Sequence, residues 1–156
     1  MQTERLFIFN PFNIKNWQDH EVEDQYTILE NSLTRGDTPS EIAYDIEVYA
    51  NMGYLMGEMI ARYYEYVEKD SIVLKVGLSN QLYKERDQWM REKSEKIPAM
   101  SYFEAKALSM LLEEHTALIK REAIFKRFKF AYESIEHKQN ALKKKLEAVK
   151  YDTFNK

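Results

Sequence analysis

TPSEIAYDIEVYANMGYLMGEMIARYYEYVEKD, residues 38–70, decides the fold. Thr38, Pro39, Ser40 and Glu41 form a helix start. The Thr hydroxyl accepts from the first turn, Pro gives up an amide that has no helical partner, and Glu41 reaches back to the cap amide. Apolar or small residues then recur at Ile42, Ile46, Tyr49, Gly53, Met56, Ile60, Tyr63 and Val67. Steps that alternate between four and three residues mark a coiled-coil seam rather than the broader face of a globular helix. The stripe runs on through Leu74, Gly77, Leu78 and Leu82, interrupted by Asp70, and Trp89 and Met90 serve as late apolar anchors. The spacing predicts one helix over 38–95, roughly 80 Å long at 1.5 Å per residue.

Outward from this helix the chain has little turn material. Among 156 residues there are 4 Gly and 3 Pro, so its elements are few and long. Upstream, 17–36 reads as a short amphipathic helix with Val22, Tyr26, Leu29 and Leu33 on one face and Gly36 at its C′ position. Before it, an apolar arm over 1–16 carries Leu6, Phe7, Ile8, Phe9, Phe12 and Ile14, suited to packing on the helices or on a neighbouring subunit. Downstream, Ile97-Pro98 breaks the long helix. Ser101-Tyr-Phe-Glu104 is a second capping box, and a third helix is expected over 101–150. Its apolar positions include Ala105, Leu108, Leu112, Ile119, Phe125, Phe128, Tyr132, Ile135, Leu142, Leu146 and Val149, with a phase slip around Lys120–Lys126. The expected fold is an all-α, single-domain, long antiparallel helical hairpin, coiled-coil-like, with a short N-terminal helix and an apolar N-terminal arm. Such a hairpin leaves apolar surface, and self-association is the usual solution. Gly53, Met56, Gly57 and Ile60 are the expected oligomerisation contacts, because two glycines one turn apart let a second backbone approach.

Composition narrows the chemistry. There is no cysteine, which excludes thiolate catalysis and disulfides. No residue three places before His20, His115 or His137 is Glu, so the di-iron motif is missing, and no His-x-x-x-His pair suggests zinc. Neither a Gly-rich phosphate loop nor a nucleophile elbow is present. The protein is therefore expected not to be an enzyme and to need no cofactor or metal. No apolar run reaches the ~18 residues of a membrane span, and MQTERLFIFNPF lacks the features of a signal peptide, which gives a cytoplasmic expectation.

Charge is divided along the chain. Residues 1–70 hold five Lys and Arg against fourteen Asp and Glu, a net −9, while residues 71–156 hold eighteen against twelve, a net +6. An acidic arm pairing with a basic arm accounts for this as well as a basic face for a polyanion does. Lys120, Arg121, Lys126, Arg127 and Lys129 alternate with Phe125, Phe128, Phe130 and Tyr132. Cations for a phosphate backbone and rings for base stacking are what single-strand binding requires. Phe125, Phe128 and Tyr132 also fit a core stripe, which leaves Phe130 as the more telling ring. Lys138, Lys143, Lys144 and Lys145 extend the positive surface, and Arg62 and Tyr64 form a smaller outward pair.

The stretch AYDIEVYANMGYLMGEMIARYYEYVEKD, with its Ala61-Arg62-Tyr63-Tyr64, and the terminal EAKALSMLLEEHTALIKREAIFKRFKFAYESIEHKQNALKKKLE together resemble the UvsY-type recombination mediators of tailed phages, over roughly residues 38–150. The resemblance is one of pattern and does not cover the N-terminal arm. It implies a homo-oligomer in the host-cell cytoplasm that binds single-stranded DNA and helps load a recombinase in place of a single-strand-binding protein. The acidic first half fits poorly with DNA unless it faces away or meets a protein. The alternative is a protein–protein interaction module, such as a phage inhibitor of a host factor or an assembly adaptor. It would work through Glu41, Asp45, Glu47, Glu58, Glu65 and Glu68 and the apolar arm. A purely structural coiled coil is a third reading.

Overall fold

The computed structural model describes residues 14–92 and 96–154. Among them are a 3-10 turn, Ile14–Asn16, and four helices: α1 Asp19–Ser32, α2 Pro39–Glu92, α3 Met100–Met110 and α4 Leu112–Phe154, with no strand. Residues 1–13 of the apolar arm lie outside the described residues, and Ile14 at its end is buried. The fold is all-α, and α2 pairs antiparallel with the returning chain. The chain divides into two compact units, both of which draw on α2 and α4. The first comprises residues 1–61 and 126–156, and the second residues 62–125.

In the first unit the start of α2 forms as its sequence asks. The Thr38 N–H donates to Glu41 Oε2 at 3.0 Å, and the Glu41 N–H donates to Thr38 Oγ1 at 3.4 Å. The Thr38 hydroxyl also donates to Glu41 Oε2, and this bond first, with the Thr38 N–H second, holds the Glu41 carboxyl below its ordinary pKa. Along this half of α2 the expected seam faces α4. Lys145 pairs with Asp37, Gln139 Nε2 donates to the Ile46 carbonyl at 3.3 Å, and Lys138 lies 5.9 Å from the Tyr49 ring centre. A second stripe one position away, Asp45, Val48, Met52, Leu55 and Met59, is buried more completely, in the same unit as the buried Val22 and Leu29 of α1. Asp45 is only 2% exposed, yet it is fully engaged. It accepts from the backbone N–H of Thr34 (2.8 Å) and of Arg35 (2.9 Å) and from the Thr34 hydroxyl (3.1 Å). It thereby fixes the connection between α1 and α2 and is not part of an acidic surface.

That connection also differs from the glycine stop expected at Gly36. Helix α1 ends at Ser32, and the left-handed residue is Arg35, at φ 54°. Asp45 binds the amide of Arg35 and so favours a conformation that a non-glycine residue otherwise avoids. Gly36 is small for another reason. A Cβ there would lie 2.8 Å from Cβ of Glu41 and 2.3 Å from its carboxyl, the group that caps α2.

In the second unit α2 pairs with α3 and the first turns of α4. Trp89 meets Tyr102 and Phe103 edge-on at 5.8 and 6.2 Å, Lys106 pairs with Glu85, and Arg121 pairs with Asp70. Leu74, Phe103, Ala107 and Leu118 are buried, whereas Met90 is exposed. The expected capping box at Ser101 is not used: α3 begins at Met100 behind Ala99, without a side-chain cap.

The single helix expected over 101–150 is two helices. Between 100 and 125 the less exposed positions of the return arm are Phe103, Ala107, Leu111, His115, Leu118, Glu122, Ile124 and Phe125. Ala105, Leu108, Leu112 and Ile119, expected to face inward, are exposed. Three successive steps of four overrun the 3.6-residue turn, so the inward face drifts around the helix unless the backbone resets. It resets at Leu111, at φ −110° and ψ 28°, where one N–H is shared between the carbonyls of Ala107 and Leu108. Gly77 makes room there, since a Cβ on it would come within 3.2 Å of Leu111 Cδ1. From His115 onward the steps return to three and four, and α4 runs unbroken through 120–126, where the slip was expected.

Candidate nucleic-acid interface

The cations singled out in the sequence all lie on α4 or α2, but they are used differently. In the second unit Arg121 is committed within the chain. Its guanidinium pairs with Asp70 and lies 5.7 Å from the Tyr66 ring centre. Asp70 thus has a purpose in the seam: it receives the charge that α4 brings to that level. Lys120 next to it is exposed. On α2, Arg62 is half-buried, and the exposed Tyr64 leans on Phe125 with ring centres 6.1 Å apart. Tyr64 is therefore a half-supported ring with one accessible side.

In the first unit the arrangement is more open. Lys126, Arg127, Lys129 and Phe130 are all exposed, and Phe130 is the most exposed of the four phenylalanine and tyrosine rings between 125 and 132, at 69%. Lys126 and Arg127 precede Phe130 by four and three residues, which places all three on one face of α4. Phe125, Phe128 and Tyr132, by contrast, are half-buried, as a packing role requires. Further along, Lys143 and Lys144 are exposed, while Lys145 is drawn to Asp37, whose carboxyl is held below its ordinary pKa by that hydrogen bond.

Two of the expected oligomerisation residues are occupied inside the first unit. Met56 is buried, and a Cβ on Gly53 would make ordinary contacts with Ile135 and Tyr132 at 3.8 and 3.9 Å. Ile60 is half-buried in the same seam, and a Cβ on Gly57 would meet nothing within 4 Å. The two glycines open a groove of about 520 Å³ lined by Tyr49, Tyr54, Glu58, Tyr132 and Glu136, among others. The Tyr132 hydroxyl titrates above its ordinary value, chiefly because of the Glu136 charge, so it remains a neutral hydroxyl at any physiological pH.

Sequence reasoning missed the two engaged carboxylates, Asp45 and Glu85. Glu85 is 5% exposed, receives Lys106 and a 2.9 Å bond from Gln81 Nε2, and has its pKa lowered, first by the Lys106 hydrogen bond. The available signal was position: Asp45 lies in a stripe that is otherwise apolar, and Glu85 lies in the same seam as Leu74. Among the described residues no group of three or more His, Asp or Glu is arranged to hold a metal ion, and no helix is long and apolar enough to cross a membrane. No family model, curated protein or solved structure matches this chain.

Proposed function

We propose that this protein binds single-stranded DNA without base specificity and performs no catalysis, using α4 as its contact surface. The observation that carries this reading is Phe130, an aromatic ring left in solvent with Lys126 and Arg127 one turn before it on the same face. Stacking on such a ring tolerates any base, and cations beside it follow the phosphates. The resemblance to recombination mediators extends the reading to delivery of the strand to a recombinase. Fluorescence anisotropy of a labelled oligo-dT at two salt concentrations tests the proposal. Binding should weaken steeply with salt. Phe130→Ala should weaken it by roughly five- to a hundredfold, as loss of one stacked base does. Lys126→Ala with Arg127→Ala should flatten the salt dependence while helix content stays unchanged. Absence of binding at low salt would sink the reading.

A second reading, a protein-interaction module, is favoured by ion pairs made to the return arm: Asp37, just before α2, with Lys145, and Asp70 and Glu85 of α2 with Arg121 and Lys106. They spend part of the basic charge inside the chain. Under this reading the exposed Glu47, Glu65 and Glu68 are the working surface, and the oligo-dT titration stays flat.

A further inference from the structure

In the second unit α2 carries apolar side chains on two opposite faces. One is the seam through Leu74 and Glu85. The other is exposed: Val73, Val76, Tyr83 and Met90, with Val73 and Tyr83 each 58% exposed, and Tyr66 at its edge, whose ring is flanked on the seam side by Arg121. With Lys69, Asn80 and Asp87 these residues fill every position of a stripe whose steps alternate between three and four. That is the heptad pattern of a helix seeking another helix.

We infer that this face docks against the same face of a second copy of the chain, antiparallel, about a twofold axis level with Leu78. Charge complementarity selects the occupant and the register. A twofold contact is self-complementary, so each pairing occurs twice. About that axis Tyr66 lies level with the partner's Met90, Val73 with the partner's Tyr83, Val76 with the partner's Asn80, and Lys69 with the partner's Asp87. The two charged positions of the stripe, both exposed, therefore meet each other with opposite sign. Sliding the partner one heptad one way sets Asp87 against Val76. Sliding it the other way sets Lys69 against Asn80 and loses the ion pair. Parallel pairing would place Lys69 on Lys69 and Asp87 on Asp87. Only the stated register buries no uncompensated charge, and a buried charge without a partner is the costly case.

This inference does not depend on DNA binding and is tested without DNA. Sedimentation equilibrium of the full chain over a concentration series should show a monomer–dimer equilibrium. Lys69→Asp or Asp87→Lys alone puts like charges opposite each other twice per dimer and should raise the dissociation constant by about tenfold or more. The double swap restores both pairs and should return it to the wild-type value. Circular dichroism should be unchanged throughout, because both positions are on the solvent face. The chain has no cysteine, so Ser79→Cys, beside the axis, supplies a sole thiol that a short bismaleimide should link into dimers. A chain that stays monomeric at every concentration would overturn the inference and leave the face to another protein's helix. Unchanged dissociation constants in the single swaps, or no recovery in the double swap, would overturn it equally.

Discussion

The two units use the same helix differently. In the first, α2 buries two adjacent stripes, one toward α4 and one in the unit that also holds α1, and it closes over a carboxylate, Asp45, that ties down a connection. In the second, α2 buries one stripe and presents Val73, Val76 and Tyr83 to solvent on the opposite side. The sequence is apolar on more than one face in both halves. What differs among the described residues is the supply of partners: the first unit holds α1 as well as α4, whereas in the second α3 and the start of α4 meet α2 along the one seam. An amphipathic pattern therefore states what a helix needs, and the rest of the chain determines whether the need is met within one molecule.

The contrast can be tested most severely at Phe103, which is 1% exposed in the narrower core of the second unit. Phe103→Ala should cost about 3–5 kcal/mol. Hydrogen exchange should then rise in 74–92 and 100–118 well before it rises in 42–60. Equal rises in both units would mean that they open together, and the contrast would fail.

A smaller loss is expected at Asp45. Asp45→Ala leaves the amides of Thr34 and Arg35 without their acceptor and should cost about 2–3 kcal/mol. Its exchange signature should centre on 29–48. The smallest effect concerns pH. Glu85 and Asp37 both have lowered pKa values, each through a lysine, but Glu85 is buried and Asp37 exposed. An unfolded Asp titrates at about 3.9 and an unfolded Glu at about 4.3. The stabilisation from each pair is therefore fully present above its own unfolded value and is lost as pH falls through the lower folded pKa. Added salt should remove the contribution of the exposed pair and leave more of the buried one. Acid melts of Glu85→Gln and Asp37→Asn at two salt concentrations separate them, and equal salt sensitivity would refute the distinction.

Much of the architecture was legible in the sequence, and the misses have physical causes. The Thr38–Glu41 cap and the Ile42–Ile60 seam are local patterns, and both formed as expected. The second stripe stayed hidden because Asp45 interrupts it, and the amides that satisfy Asp45 come from a connection ten residues away. On the return arm, choosing Ile119 over Leu118 shifted the phase by one residue and moved the expected irregularity from Leu111 to Lys120–Lys126. The cation cluster was plain from composition. The commitment of Arg121 to Asp70 was not, because ion pairing between helices depends on register, although a lone acid in an apolar seam pointed toward it.

The reset at Leu111 bears on how this chain tolerates changes in length. Removing one residue from most of α4 turns everything downstream by about 100° and takes the seam out of contact. Between Ala107 and His115 the chain carries one residue more than a regular three–four alternation needs, and the irregular turn absorbs it. A deletion there would convert the step pattern to the regular one and let α3 and α4 fuse into a continuous helix. Tolerance to losing a residue on the return arm is thus concentrated in a single turn.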